Sequence, residues 1–336
     1  MIQGLYSFDE VVKMIEKGDS LLLAADSPLL SALPKGNWIG GACSRFIENG
    51  TTLISDRNKI FVHNMTGIAS NVKLKVYDSS SIRTIFKDAF NNGFSVLILP
   101  NFSEVYFEYA LKCTDYPNFG TVPICGWLAV ASIFSEYEKD DKSLVFSGET
   151  GKSYTDAGVV MHVELPDDKY AEIQAFSPYV QDDGDTIVFE ENSQNVENVL
   201  INGKRQNFRQ YLIDNNIDRT PEARNLLAGD YSSSIIMNVG IYEDNESNQG
   251  KYVTMGAPVY KGVPYRLAKV STESLYNSLK DKSEGEIVFS LSCVSNYLRP
   301  EVFPKYLSQT NGPFAYGEIA YVLLNHATVY VTVGTI

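Results

Sequence analysis

The chain has 336 residues, 44% of them hydrophobic and 21% charged, enough for a globular core that buries roughly 75% of the unfolded surface without disulfide or metal staples. Its 28 basic residues against 41 acidic ones give a net charge of −13, which repels phosphate backbones and anionic lipid surfaces and excludes nucleic acid and membrane as partners.

Ser7 with Glu10 forms a capping-box pattern, and Val11, Val12, Met14 and Ile15 continue it as an amphipathic helix to about Gly18. A strand follows over residues 21–25. Gly40-Gly41-Ala42-Cys43-Ser44, after the apolar Trp38-Ile39, reads as a glycine turn that delivers Cys43 and Ser44 to a cleft, or more plainly as a tight turn around a buried thiol. Ile82, Ile85, Phe86, Ala89 and Phe90 fall on one helical face, closed by Asn92-Gly93. The apolar run 94–99 predicts a strand buried on both faces and stopped by Pro100, and a helix follows over 104–113. Gly148-Glu149-Thr150-Gly151-Lys152-Ser153 resembles the end of a phosphate-binding loop, but Phe146 stands where the first glycine belongs, so a surface hairpin is expected.

Strands dominate the second half: 158–165, 170–176, 186–189, 233–242, 252–257, 262–270, 287–293 and 327–333, with helices at 206–214 and 271–280. Acidic turns at 140–142, 182–185 and 243–249 read as solvated loops, the first as a hinge. The expected fold class lies between α/β and α+β: two mixed α/β domains, residues 1–180 and 181–336, built as stacked sheets flanked by helices in a layered sandwich.

Cys43, Cys113, Cys125 and Cys293 form no CxxC pair, and His63, His162 and His326 have no metal-ligand spacing, so neither metal nor cofactor is expected. His162 lies in an alternating strand and is expected to be structural. The N-terminus lacks a basic region followed by an apolar run, and no run of 18 apolar residues occurs, which predicts a cytoplasmic protein with reduced thiols.

The tail carries the most chemistry. Asn311-Gly312-Pro313-Phe314-Ala315-Tyr316-Gly317-Glu318-Ile319 sets a phenol, a flexible glycine and a carboxylate side by side, and Asn325-His326 enters the last strand. Such a set suits a small polar ligand: Glu318 takes an ammonium group, Tyr316 forms an aromatic wall, and Asn325 and His326 orient the ligand. Arg45 adds a planar clamp for a carboxylate, and Cys43-Ser44 adds backbone donors. The plain alternative is a solvent-facing turn before an edge strand.

These motifs, in this order, resemble the FIST domain family, named for F-box and intracellular signal transduction. The resemblance rests on Tyr316-Gly317-Glu318-Ile319 with Asn325, on Val288-Phe289-Ser290-Leu291-Ser292-Cys293, on Asn202-Gly203-Lys204 before Phe208-Arg209-Gln210-Tyr211-Leu212, and on Asp156-Ala157-Gly158-Val159-Val160. It also rests on Ile39-Gly40-Gly41-Ala42-Cys43-Ser44 and Val122-Pro123-Ile124-Cys125-Gly126-Trp127, which look like the family's two glycine turns. Ala315 stands where the family usually has Thr, and Asn296 where it has Arg, with Arg299 close by.

The resemblance implies N- and C-terminal FIST-like domains and a sensory module for amino acids or related metabolites, with a signalling protein as partner. The resulting expectation is a cytoplasmic ligand-binding protein with Gly40, Gly41, Cys43, Ser44, Arg45, Gly126, Tyr316, Gly317, Glu318, Asn325 and His326 around an inter-domain cleft. Two other readings stay open: a hydrolase or transferase with Cys43 or Cys293 as nucleophile, His326 as base and Glu318 as acid, and an interaction scaffold that presents an apolar patch.

Overall fold

The computed structural model describes residues 3–48, 52–54, 56–130, 143–215, 217, 226–232, 235–242, 252–270, 285–297 and 310–336. The architecture is mixed α/β, built from several mixed sheets and flanking helices as expected. Two compact units divide the chain: residues 1–174, 283–322 and 328–336 form the first, residues 175–282 and 323–327 the second.

In the first unit, one sheet runs in the order Gln3–Tyr6, Ile60–Asn64, Leu21–Ala25, Trp38–Ala42, Val145–Ser147, Lys152–Tyr154. Leu21–Ala25 and Trp38–Ala42 are its parallel pair. The helix Phe8–Glu16 covers its outer face, because Val11 and Ile15 pack onto Leu21, Leu23, Ile60 and Val62. That helix starts where the sequence predicts: the Ser7 N–H donates to Glu10 Oε2 at 2.8 Å, and the chain leaves it at Gly18 with φ of +85°.

A second sheet runs Glu318–Ala320, Ile124–Ala129, Gly93–Pro100, Gly158–Glu164, Asn71–Tyr77. Gly93–Pro100 is central and buried throughout, which explains its unbroken apolar run. Asn71–Tyr77 is an edge strand, and its polar alternation, with Lys73 and Lys75, hid it from a hydrophobicity reading. The helix Glu104–Lys112 packs on this sheet's outer face, and Ser103 Oγ accepts from Tyr106 N at 3.1 Å to cap it. A third group of strands pairs Thr328–Thr335 with Glu286–Cys293, Glu286–Cys293 with Gly312–Ala315, and Gly312–Ala315 with Phe46–Glu48.

The two large sheets pack face to face at Gly41. A Cβ there would lie 2.6 Å from Ile98 Cγ2 and 2.9 Å from Trp127 Nε1. The expected turn at Gly40-Gly41 is therefore corrected: both residues lie inside the strand Trp38–Ala42, where Ile98 and Trp127 leave no room for a side chain at Gly41 and a Cβ at Gly40 would press on the Leu23 carbonyl oxygen at 3.2 Å. Gly126 is corrected in the same way. It lies inside Ile124–Ala129 at φ of +149°, with a would-be Cβ 1.7 Å from the Leu97 carbonyl oxygen.

The helix expected over 82–90 is shorter, a 3-10 turn Ile82–Thr84 running into Ile85–Asp88. The Asp78 carboxylate takes the N–H groups of Ser80 and Ser81 at its start, and Lys73 Nζ donates to the Asp88 carbonyl at its end.

The second unit orders Lys204–Asn207, Asn198–Ile201, Ile187–Val188, Pro264–Val270, Leu226–Ser232 and Ile235–Tyr242 in one sheet, with Val253–Val259 and Ser193–Val196 continuing from Ile235–Tyr242. Phe189 seats edge-on to Phe208 and Tyr265 in its core. The segment Leu323–Ala327 belongs to this unit, and the Tyr260 hydroxyl accepts from Leu323 N at 3.1 Å.

The two-segment division at residue 180 meets a different course of chain. The crossover at 174/175 is close to it, but 283–322 and 328–336 return to the first unit, because Gly312–Ala315 pairs with Phe46–Glu48. The helix expected at 271–280 and the turns at 140–142 and 243–249 lie outside the described residues.

Backbone crowding and side-chain crowding predict different penalties. Gly126→Ala should lower unfolding free energy by about 3 kcal/mol or more, because the obstacle is a ladder carbonyl. Gly41→Ala, facing movable side-chain atoms, should lose about 1–3 kcal/mol. Urea unfolding measures both, and a wild-type midpoint for Gly126→Ala would contradict the register between Ile124–Ala129 and Gly93–Pro100.

Candidate functional site

Two parallel strand pairs end near each other in the first unit. Leu21–Ala25 and Trp38–Ala42 give way to Asp26 and Cys43, and Gly93–Pro100 and Ile124–Ala129 give way to Asn101 and Val130. Val130 N donates to the Ala42 carbonyl at 3.1 Å and joins the two sets of strand ends. Carboxyl ends of parallel strands are where α/β proteins place ligands, since the departing loops diverge and leave a crevice.

A small pocket lies at this point, lined by Cys43, Ser44, Arg45, Leu128, Phe314 and Tyr316 among others. Its volume is about 10 Å³, the space of one water. The bend that holds Tyr316 is fixed by the backbone: Phe314 N donates to the Arg45 carbonyl at 2.9 Å, and Leu128 N donates to Gly317 O at 3.0 Å. Cys43 is tied to the same seam, with its thiol 3.2 Å from Arg45 O and 3.3 Å from Phe314 O.

Cys43, Ser44, Arg45 and Tyr316 are thus brought together, across more than half of the sequence. Glu318 goes elsewhere. It is fully buried on the strand Glu318–Ala320, directly opposite Trp127, and is not part of the pocket wall. Gly40 and Gly41 lie in the strand leading to the pocket, and Gly126 lies in the strand behind it. Asn325 and His326 belong to the second unit, where His326 sits at φ of +58° with its ring edge-on to Tyr179 at 6.1 Å.

The four cysteines are buried and form no disulfide with one another. Burial pushes the Cys43 thiol up to about 12, and the nearby Asp26 charge adds to it, so at neutral pH the sulfur is a protonated donor rather than a nucleophile. Cys293 is buried within the strand Glu286–Cys293 opposite Ala315. Among the described residues no group of three or more His, Cys, Asp or Glu side chains is placed to hold a metal ion, and no helix is long and apolar enough to cross a membrane.

Two features escaped the sequence reading. His63 is buried between Phe61 and Phe289, within 3.1 Å of the Asn311 carbonyl, and burial lowers its pKa to about 4, so it stands neutral just before the strand that carries Phe314. A larger cavity of about 420 Å³ lies in the second unit, lined by Phe189, Glu190, Glu191, Glu197, Arg205 and Tyr252 among others, with Arg205 paired to Glu190 at 2.8 Å. Its only signal in the sequence is the density of carboxylates over 190–197.

A family model matches residues 6–334, and the chain belongs to that family, DUF6976, a family of unknown function. A search of curated proteins gives no match.

The thiol chemistry is directly testable. At pH 8, Cys43 in the folded protein should alkylate about three orders of magnitude more slowly than a free thiol of ordinary pKa, as read by isotope-coded iodoacetamide labelling and peptide mapping. Stoichiometric labelling within minutes would restore the nucleophile reading.

Proposed function

We propose that the protein is a cytoplasmic sensory protein that binds a small polar metabolite bearing a carboxylate, an amino acid or a close relative, at the pocket between residues 43–45 and 314–316. The observation that carries this is the convergence of Arg45, Ser44 and Tyr316 at the carboxyl ends of two parallel strand pairs. Arg45 presents paired donors in a plane to the carboxylate, Tyr316 closes over the ligand's body, and the Ser44 hydroxyl orients it.

The resemblance of the ordered sequence motifs to those of FIST domains supports a sensory role, and the output would then pass to a signalling protein. The raised Cys43 thiol favours binding over covalent chemistry. Because the pocket admits about one water, a ligand of amino-acid size enters only as the contacts of Phe314 with Arg45 and Cys43 part. Binding is therefore coupled to a local opening of the tail bend.

A thermal-shift panel of the common amino acids, short-chain carboxylates and amines tests this. A true ligand at about 100 times its Kd adds about 2.7 kcal/mol to unfolding and raises the midpoint by a few degrees. Arg45→Gln should abolish the shift for carboxylates. No shift with any member, or full shifts in Arg45→Gln, removes the proposal.

A further inference from the structure

On the outer face of the second sheet of the first unit, four side chains form a chain of hydrogen bonds. Ser95 Oγ lies 2.7 Å from His162 Nδ1, Tyr77 OH lies 3.2 Å from His162 Nε2, and the Tyr77 hydroxyl donates to Asp88 Oδ2 at 2.9 Å. Ser95, His162 and Tyr77 are buried. They come from three adjacent strands, Gly93–Pro100, Gly158–Glu164 and Asn71–Tyr77, whereas Asp88 ends the short helix Ile85–Asp88.

Chemistry fixes the direction of this chain. Burial pushes the Asp88 carboxyl up, but Lys75 at 2.9 Å, Tyr77 and Thr84 outweigh it and hold the group below the usual carboxylate range, so Asp88 is an anion that only accepts. Burial and the facing Asp88 charge raise the Tyr77 phenol, so its proton stays on oxygen and points at Asp88. His162 Nε2 must then carry a hydrogen and donate to the Tyr77 oxygen, leaving Nδ1 to accept from Ser95. With His162 neutral, every member of the chain is satisfied. Protonation at Nδ1 would reverse the Ser95 contact, turning the Ser95 hydrogen away from its acceptor, and would leave an imidazolium buried near Lys73 and Lys75 that the Asp88 carboxylate reaches only through Tyr77.

The charged groups acting on His162 are Lys73 and Lys75 from Asn71–Tyr77 and Asp88 from Ile85–Asp88; Gly93–Pro100 brings Ser95 and no ionisable side chain. Asp88 is also where the segment is fastened, since Lys73 holds its carbonyl and Lys75 its carboxylate. Ser95 is buried with its hydroxyl against His162, which speaks against a serine nucleophile in this state.

We propose that the Ser95–His162–Tyr77–Asp88 chain is an acid-released latch, which holds residues 82–88 on the sheet while His162 is neutral and lets that segment open when the imidazole takes a proton. The sign follows from linkage. Burial, then Lys73, depresses the His162 pKa from 6.5 to about 4, so the closed state binds fewer protons than the open one. The latch is fully set above about pH 6.5 and weakens as pH falls toward 4. Between pH 7 and pH 5, the open-to-closed ratio should rise about twentyfold.

Hydrogen exchange by mass spectrometry on the intact wild-type protein, corrected for the intrinsic pH dependence of exchange, reads this directly. The expected result is a loss of protection of that size over 82–88 while the strand Leu21–Ala25 keeps its own. Loss in both at once, or in neither, overturns the latch. Nitrogen NMR of the imidazole gives a second reading: wild-type His162 should be the pure Nε2–H tautomer at pH 7, and Tyr77→Phe should mix the tautomers. An Nδ1–H wild-type ring, or a tautomer indifferent to Tyr77→Phe, contradicts the chain's direction.

Discussion

The first unit depends on how closely two sheets can approach, and Gly41 sets that distance. With a hydrogen in place of Cβ, Trp38–Ala42 comes down onto Ile98 and Trp127, and Trp127 is free to stack on Phe289 with ring centroids 6.0 Å apart. Gly126 removes the corresponding obstacle within the second sheet, where its α-carbon passes the Leu97 carbonyl. These absences bring the carboxyl ends of both parallel pairs to one place, where Ala42 and Val130 join. The pocket beside Cys43 follows from close packing as much as from the polar residues that line it.

The local layer of this design is legible in the sequence. The strand expected over 21–25 is Leu21–Ala25, the run ending at Pro100 is Gly93–Pro100, and the helix expected from 104 is Glu104–Lys112, because each is set by caps, periodicity or a buried apolar run. The Gly40-Gly41 pair was misread for a physical reason. A glycine that permits a turn and a glycine that permits close approach carry the same letter, and only the opposing Ile98 and Trp127 separate the two cases. The same limit applies to Gly312–Ala315, whose partner Phe46–Glu48 is distant in the chain and leaves no trace in local periodicity.

For the candidate site, residue type was informative and geometry was not. The tail's phenol and the early Cys43-Ser44-Arg45 segment do meet, but the adjacent carboxylate is in the core opposite Trp127, because the bend at Tyr316-Gly317 separates Tyr316 from the strand that begins at Glu318. Alternation along a strand can be read from sequence, whereas the orientation across a bend depends on which strand receives the chain afterwards. Here that strand is Ile124–Ala129, and Leu128 N fixes the bend through the Gly317 carbonyl.

A common electrostatic pattern runs through the first unit. The chain carries a net charge of −13, yet inside the unit His63 and His162 are held neutral, and Cys43 is held as a thiol. Burying each as an ion would require a counter-charge brought out of water at a cost of several kcal/mol, so the fold satisfies them as neutral hydrogen-bonding groups with carbonyl and hydroxyl partners. That choice makes the interior stable at neutral pH and sensitive to acid at the two imidazoles. The thiol has no such sensitivity, since acid only reinforces its protonated form. Of these three groups acid acts on the histidines, and among the described residues His162, unlike His63, is linked through a hydrogen-bond chain to a surface ion pair, Lys75–Asp88, so opening there can begin at the edge of the sheet rather than in its centre.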